Sequence, residues 1–246
     1  MNSLKNLPEI LYEDKYLIVV DKPAGMVVQG AGTSEESLFL WLKRYLKERN
    51  NLEKEPFIGV VHRLDKPVSG PVIFAKRSKV AAKFFELFQS KKVVKIYVAK
   101  IKGRIRGDGI WRDYFVWNVA KKKAVLYDEE VEGSKPAITC FKGLEKGLVL
   151  LSPITGRKHQ LRAVLSKRGC PIIGDTKYGS HTKVLKGKAI LLHSIFLAFP
   201  HPMTKELIKV FAKLPDYFFV KHLDKREILE FFYKVLKIQE AENVPA

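Results

Sequence analysis

The chain has 246 residues, enough for a substantial core, with 46% hydrophobic and 11% aromatic content, which excludes a disordered or fibrous protein. Its 45 Lys and Arg against 26 Asp and Glu give a formal charge of +19, a surface that needs an acidic counterpart such as a phosphate backbone. Two cysteines without a C-x-x-C, an N-terminus without an apolar core and the lack of any bilayer-length apolar run argue against a disulfide framework, a secretory signal and a membrane span, and a cytoplasmic location is expected.

In chain order, residues 9–21 read as a hairpin, with Ile10–Tyr12 and Tyr16–Asp21 flanking a turn at 13–15, and Lys22-Pro23-Ala24-Gly25 ending it. Thr33-x-x-Glu36 has the form of a capping box ahead of a helix that buries Leu38, Leu42, Tyr45 and Leu46. Ser78 is expected to cap a helix running through Ala81, Phe84, Phe85 and Phe88. Residues 93–101 alternate as a strand, and further strands are expected at 137–144, 148–153, 189–199 and 206–212, the last two joined by Pro200-His201-Pro202-Met203-Thr204. Helices are expected at 158–168, with Gly169 as a left-handed cap, and at 225–237. The polar stretch 119–136 reads as a hairpin with a mobile tip. Strands on short turns with interspersed helices predict an α+β domain, with a mainly antiparallel mixed sheet. No repeat or linker divides the chain, so residues 1–246 read as one catalytic-sized domain.

Three segments place polar residues where a core pattern does not want them. In Val61-His62-Arg63-Leu64-Asp65-Lys66-Pro67-Val68-Ser69-Gly70, an imidazole, a guanidinium and a carboxylate crowd a loop that enters a strand, a usual seat for catalytic groups. A surface Arg–Asp pair explains the same charges. In Thr155-Gly156-Arg157-Lys158-His159-Gln160-Leu161-Arg162, Gly156 leads into a helix whose first N–H groups, with Arg157 and Lys158, suit an anion. Arg162 falls beside the buried Leu161, Val164 and Leu165, and a buried Arg demands an anionic partner, for which Asp65 is the candidate. Tyr97, in Lys95-Ile96-Tyr97, is either a core ring or one that stacks on a base with its hydroxyl free for proton transfer. Asp175 is read as bracing a turn. The six histidines show no metal-ligand spacing, and neither a P-loop, a dinucleotide fingerprint nor a nucleophile elbow is present, so no metal and no nucleotide cofactor is expected.

Five stretches together, ILYEDKYLIVVDKPAGMVV, VHRLDKPVSG, KKVVKIYVAKIKG, TGRKHQLRAVLSKRGCPIIGDTKYG and LLHSIFLAFPHPMT, resemble the RluA family of pseudouridine synthases along almost the whole chain. The resemblance implies the pseudouridine synthase fold with a central catalytic cleft, a structured RNA substrate (tRNA or rRNA), and no cofactor. It implies Asp65 as nucleophile, Tyr97 as the ring against the flipped base, and Arg162 as the partner of the Asp65 carboxylate. It places Arg63, beside the nucleophile, to fill the space left by the extruded base or to hold the RNA; further RNA contacts are expected from Lys22, His62, Arg157, Lys158 and His159. Two departures stand out: Val68 occupies a position where the family usually has Thr, and the family's N-terminal S4 domain finds no room before residue 9. The latter makes the chain look like the compact TruC-type branch that acts on tRNA, expected to work as a monomer. Two other readings compete: a non-catalytic RNA-binding or ribosome-assembly protein on the same fold, and a hydrolase that would need a second carboxylate near Asp65.

Overall fold

The computed structural model describes residues 7–30, 36–220 and 223–241. Its architecture is α+β, built on two antiparallel sheets rather than on one mixed sheet. The smaller sheet has the order β1-β2-β4-β3, from β1 (Glu9–Glu13), β2 (Leu17–Lys22), β3 (Gly59–Val60) and β4 (Gly70–Ala75). The larger is made of β5 (Val94–Lys100), β6 (Asp108–Asn118), β7 (Lys123–Tyr127), β8 (Lys135–Gly143), β9 (Leu148–Pro153), β10 (Leu192–Pro200) and β11 (Leu207–Phe211). These seven strands lie in the order β11-β10-β5-β9-β8-β6-β7. Parallel pairing is confined, among the described residues, to the isolated bridge between Ser69 and His193, which joins the two sheets. One hydrophobic cluster spans both, with Ile18, Val20, Val72 and Phe74 from the first and Ile96, Val98, Leu150 and Phe196 from the second.

Local chemistry explains the elements. Asp14 turns the first hairpin by accepting from the backbone N–H of Tyr16 and Leu17 at 2.7 and 2.8 Å. Helix α1 (Leu38–Arg49) buries Leu38, Leu42 and Leu46, leaving Tyr45 half-buried and stacked on Trp41. Its N-cap is Ser37, whose hydroxyl accepts from the Leu40 N–H; Thr33 of the expected capping box lies outside the described residues. Helix α2 (Ser78–Gln89) starts with Ser78 as its first helical residue, after an extended Arg77 that gives no side-chain cap. Phe84 is buried on α2, whereas Phe85 is 70% exposed, because one residue of helix turns the side chain by about 100° off the buried stripe.

The segment 119–136 does contain a hairpin, and it belongs to the larger sheet: β6 pairs with β7 around a turn in which Asn118 accepts from the Lys121 N–H. Helix α3 (Gln160–Lys167) packs its Leu161, Val164 and Leu165 inward and ends at Gly169, φ +69°, as expected. Helix α4 (Lys225–Ala241) lays Ile228, Phe231, Phe232 and Val235 on the larger sheet. No helix among the described residues is long and apolar enough to cross a membrane.

Candidate active site

The loop 61–69 joins β3 to β4, so Asp65 stands at the margin of the smaller sheet. The loop is held by its backbone from the segment after β2, the segment before β10 and β10 itself. The Gly25 N–H donates to Lys66 O at 2.8 Å, the Ile190 N–H to Pro67 O at 3.2 Å, and the Ser194 N–H to Ser69 O at 2.9 Å. Within the loop, Val68 donates back to Asp65 O at 3.0 Å, closing a turn on the carboxylate-bearing residue. Gly25 reaches Lys66 in a backbone conformation, φ +87°, that favours glycine. Ser69 Oγ bonds His193 Nδ1 at 2.8 Å and Tyr217 Oη at 2.7 Å, a buried clasp behind the loop.

The larger sheet and its helix bring the other groups. Arg162, buried on α3, points Nη1 at Asp65 Oδ2, 3.1 Å away. The expectation that Asp65 is its anionic partner holds only in part, because Asp175 takes the larger share: Nε and Nη2 of Arg162 meet its two oxygens at 2.6 and 2.9 Å. Asp175 was expected to brace a turn. Its carbonyl does accept from the Tyr178 and Ser180 N–H groups, while its buried carboxylate faces the arginine. Burial works against the Arg162 charge, but the two carboxylates outweigh it and the guanidinium is held more firmly protonated than usual.

His159 stands on the other side of Asp65, with Nε2 at 3.6 Å from Oδ2. Burial, aided by Arg162, Lys177 and Lys158 and opposed by Asp65, pulls its pKa down to about 4, so the ring is neutral near pH 7 and this contact is no ion pair. Tyr97, on β5 opposite Ser194 in the ladder, is only 8% exposed. Burial and the nearby Asp65 charge push its phenol well up, so Tyr97 keeps its proton at neutral pH. Asp65 itself keeps 28% of its side chain open to solvent, enough for approach from outside.

Several expected RNA contacts turn out to be internal supports. Lys22 is fully buried, its ammonium donating to the carbonyls of Pro23, Met26 and Lys66 at 3.0, 2.8 and 3.3 Å. Burial lowers its pKa to about 7 against the pull of Asp65 and Asp21, and a group so enclosed braces the loop from beneath instead of meeting a phosphate. His62 accepts the Ile73 N–H at Nε2, 2.9 Å, and burial holds it neutral at about 3. The N–H of Arg157 is spent on Gln160 Oε1 at 3.0 Å and its Nε on Pro136 O at 3.0 Å, so the helix start is not the open anion site expected from the sequence. Lys158 is exposed, with its ammonium 4.1 Å from the centre of the Trp117 ring. Arg63 is exposed beside Asp65, with no hydrogen bond or ion pair holding it among the described residues.

Sequence reasoning missed Gln160 and Tyr178. Gln160 is saturated: Nε2 donates to Ile138 O and Thr139 Oγ1, both at 3.0 Å, and Oε1 accepts from Thr155 Oγ1 at 2.8 Å as well as from Arg157. It fastens the 155–160 loop to β8. The one signal available was a polar residue beside Leu161 at a helix start. Tyr178, 1% exposed, sits between Ala124 of β7 and His159.

Comparison with known proteins identifies the family. The family model described as RNA pseudouridylate synthase matches residues 16–167. The chain is 35% identical over 232 residues to tRNA pseudouridine synthase C of Pasteurella multocida (strain Pm70), covering 83% of this chain and 90% of that one. It is 36% identical over 218 residues to ribosomal large subunit pseudouridine synthase C of Rickettsia typhi (strain ATCC VR-144 / Wilmington), covering 85% and 69%. Among solved structures it resembles human RNA pseudouridylate synthase domain containing 4, with a TM-score of 0.68 and 28% identity over 85% of this chain and 90% of that one.

Proposed function

The chain belongs to the RNA pseudouridylate synthase family and is an RNA pseudouridine synthase, and from that premise we propose that Asp65 is its nucleophile and tRNA its substrate. The observation that carries the first part is the partly open carboxylate of Asp65, which accepts from Nη1 of the buried Arg162 at 3.1 Å, with the Tyr97 phenol near enough to feel its charge. The second part is supported by coverage: the chain spans 90% of a tRNA-acting relative but 69% of a ribosomal one.

The reaction breaks the N1–C1′ bond of uridine and rejoins the base through C5, with the C5 proton leaving and N1 gaining one. Product and substrate are isomers, so no redox partner or cofactor enters the balance. Asp65 supplies the negative oxygen that attacks C1′ or C6, or takes the 2′ proton. Arg162, bonded to Oδ2, keeps the carboxylate charged and aimed. The uridine must first leave its stack, which costs a few kcal/mol and least in a loop. Tyr97 offers its face to the extruded base, an arrangement of the kind that returns about 1–3 kcal/mol per base. Arg63, exposed next to Asp65, fills the gap in the RNA or grips its backbone, and Lys158 adds a phosphate contact. The chain acts in this reading as a monomer and as one domain, the latter supported by a hydrophobic cluster to which both sheets contribute.

The decisive experiment maps pseudouridine in total RNA with and without the gene, and then with the gene carrying Asp65→Asn. Loss of one tRNA site in the deletion, not restored by the Asn variant, is expected. A missing site in ribosomal RNA would overturn the substrate, and restoration by Asp65→Asn would overturn the nucleophile.

A further inference from the structure

The Tyr178 hydroxyl accepts the backbone N–H of Ala124 at 2.8 Å and lies 3.0 Å from His159 Nδ1. Tyr178 is only 1% exposed, so its own proton needs an acceptor inside the protein, and Nδ1 is the one within reach. That bond makes Nδ1 the bare nitrogen of His159 and places the ring proton on Nε2. Nε2 is the atom 3.6 Å from Asp65 Oδ2. The ring has little freedom to turn away, because Trp117 and Tyr178 meet it edge-on at 5.3 and 5.7 Å between centroids. His159 sits at φ +59° and ψ +18°, a left-handed conformation that His and Asn adopt more readily than most side chains, at the N-cap of α3. Arg162 meets the same Oδ2 at 3.1 Å, from the next turn of the same helix.

We propose that His159 is a positioning residue, a neutral Nε2–H donor that closes on Oδ2 of Asp65 and, with Arg162, reserves Oδ1 as the reacting oxygen. This rests on Asp65 as the nucleophile. Tyr178 sets the tautomer, and since Ala124 belongs to β7, the β6–β7 hairpin is hydrogen-bonded through Tyr178 to His159, whose Nε2 stands 3.6 Å from the carboxylate.

Two measurements on the full chain test it. Long-range 1H–15N correlation spectra of the free protein are expected to show His159 with a bare Nδ1 and a protonated Nε2, and to lose that pattern in Tyr178→Phe; an Nδ1–H tautomer in the parent protein overturns the proposal. Single-turnover kinetics then use bulk tRNA from cells lacking the gene. His159→Gly, which suits the left-handed backbone and removes only the ring, is expected to slow the reaction about ten- to a hundredfold, the worth of one hydrogen bond to a charged group, with RNA affinity nearly unchanged. His159→Asn, which also tolerates this backbone and keeps a neutral donor, is expected to recover part of the rate. An unchanged rate in His159→Gly, or a loss confined to RNA affinity, overturns the proposal. Asp65→Asn run alongside separates the two readings: product from that variant removes the nucleophile, whereas an inert Asp65→Asn with a fully active His159→Gly removes only the role of His159.

Discussion

Arg162 gives two of its three guanidinium nitrogens to Asp175, at 2.6 and 2.9 Å, and keeps only the third for Asp65. The tight fork fixes the plane of the guanidinium; the looser contact is the one that meets chemistry. Asp175→Asn removes the charge from the fork and leaves Arg162 anchored by a partly exposed partner. The expected cost is about 3 kcal/mol of stability, the lower end for breaking a buried pair, read by chemical denaturation. Single-turnover rate is expected to fall with RNA affinity held, since the phosphate-facing surface is untouched. A stable, fully active variant would mean that Asp65 alone suffices to hold Arg162.

Tyr97 is held protonated by burial and by Asp65, which suits it to donate a hydrogen bond or a proton and unsuits it as a base at neutral pH. Tyr97→Phe is expected to keep RNA affinity and slow a late proton-transfer step in single-turnover kinetics. Rates unchanged in every phase would return the ring to a packing role.

Gly70 opens β4 at φ +125°, and a Cβ there would lie 2.3 Å from the carbonyl oxygen of Ser194. Gly70→Ala is therefore expected to cost more than about 4 kcal/mol and to yield little folded protein in expression and circular dichroism trials. Gly25→Ala is the milder contrast: its φ of +87° strains an alanine, and the new Cβ would meet the Lys188 Cβ at 3.3 Å, a far smaller overlap than at Gly70. A loss of about 1–2 kcal/mol is expected there in denaturant titrations.

Glu13 takes a two-point grip from Arg49 at 2.6 and 2.7 Å and a third bond from Lys76 at 2.8 Å, and these cations pull its pKa from 4.5 to about 2. A lowered carboxylate pKa adds stability that is complete above about 4.5 and fades as the pH falls toward 2. Glu13→Gln is expected to lower stability at neutral pH and to flatten its loss over that acid range, as followed by thermal melts.

Asp21 behaves in the opposite sense. Burial and Glu9 raise its pKa to about 7, so between about 4 and 7 the folded chain holds a proton that the unfolded chain has released. Stability should therefore decline as the pH rises through that window. Asp21→Asn is expected to remove the decline and to raise the melting temperature at pH 8 while leaving it nearly unchanged at pH 4.

Much of this was legible in the chain. The strand Leu148–Pro153 and the Gly169 cap follow from apolar runs and glycine chemistry that no tertiary context overrides. The pairing of Arg162 with an acid followed from one buried cation on an apolar helix face. What the sequence hid is whichever partner the tertiary fold supplies. Asp175 and Asp65 are equally plausible acids by type, and only the docking of α3 against the 172–180 turn decides that Asp175 receives the fork. Lys22 and His62 look like surface groups beside a catalytic loop, yet both are consumed by backbone atoms inside it. The strand Asp108–Asn118 escaped notice because its 11 residues mix charges with aromatics instead of alternating.

The bridge between Ser69 and His193 has an outcome for how the enzyme fails. The carboxylate arrives from one layer and its guanidinium and phenol from another, so each half alone is chemically mute. Any local loosening along that suture, too small to erase the spectroscopic signature of the strands, should already silence turnover. Inactivation on warming is thus expected to precede the loss of β structure, and the interval between the two reports how firmly the halves are stitched.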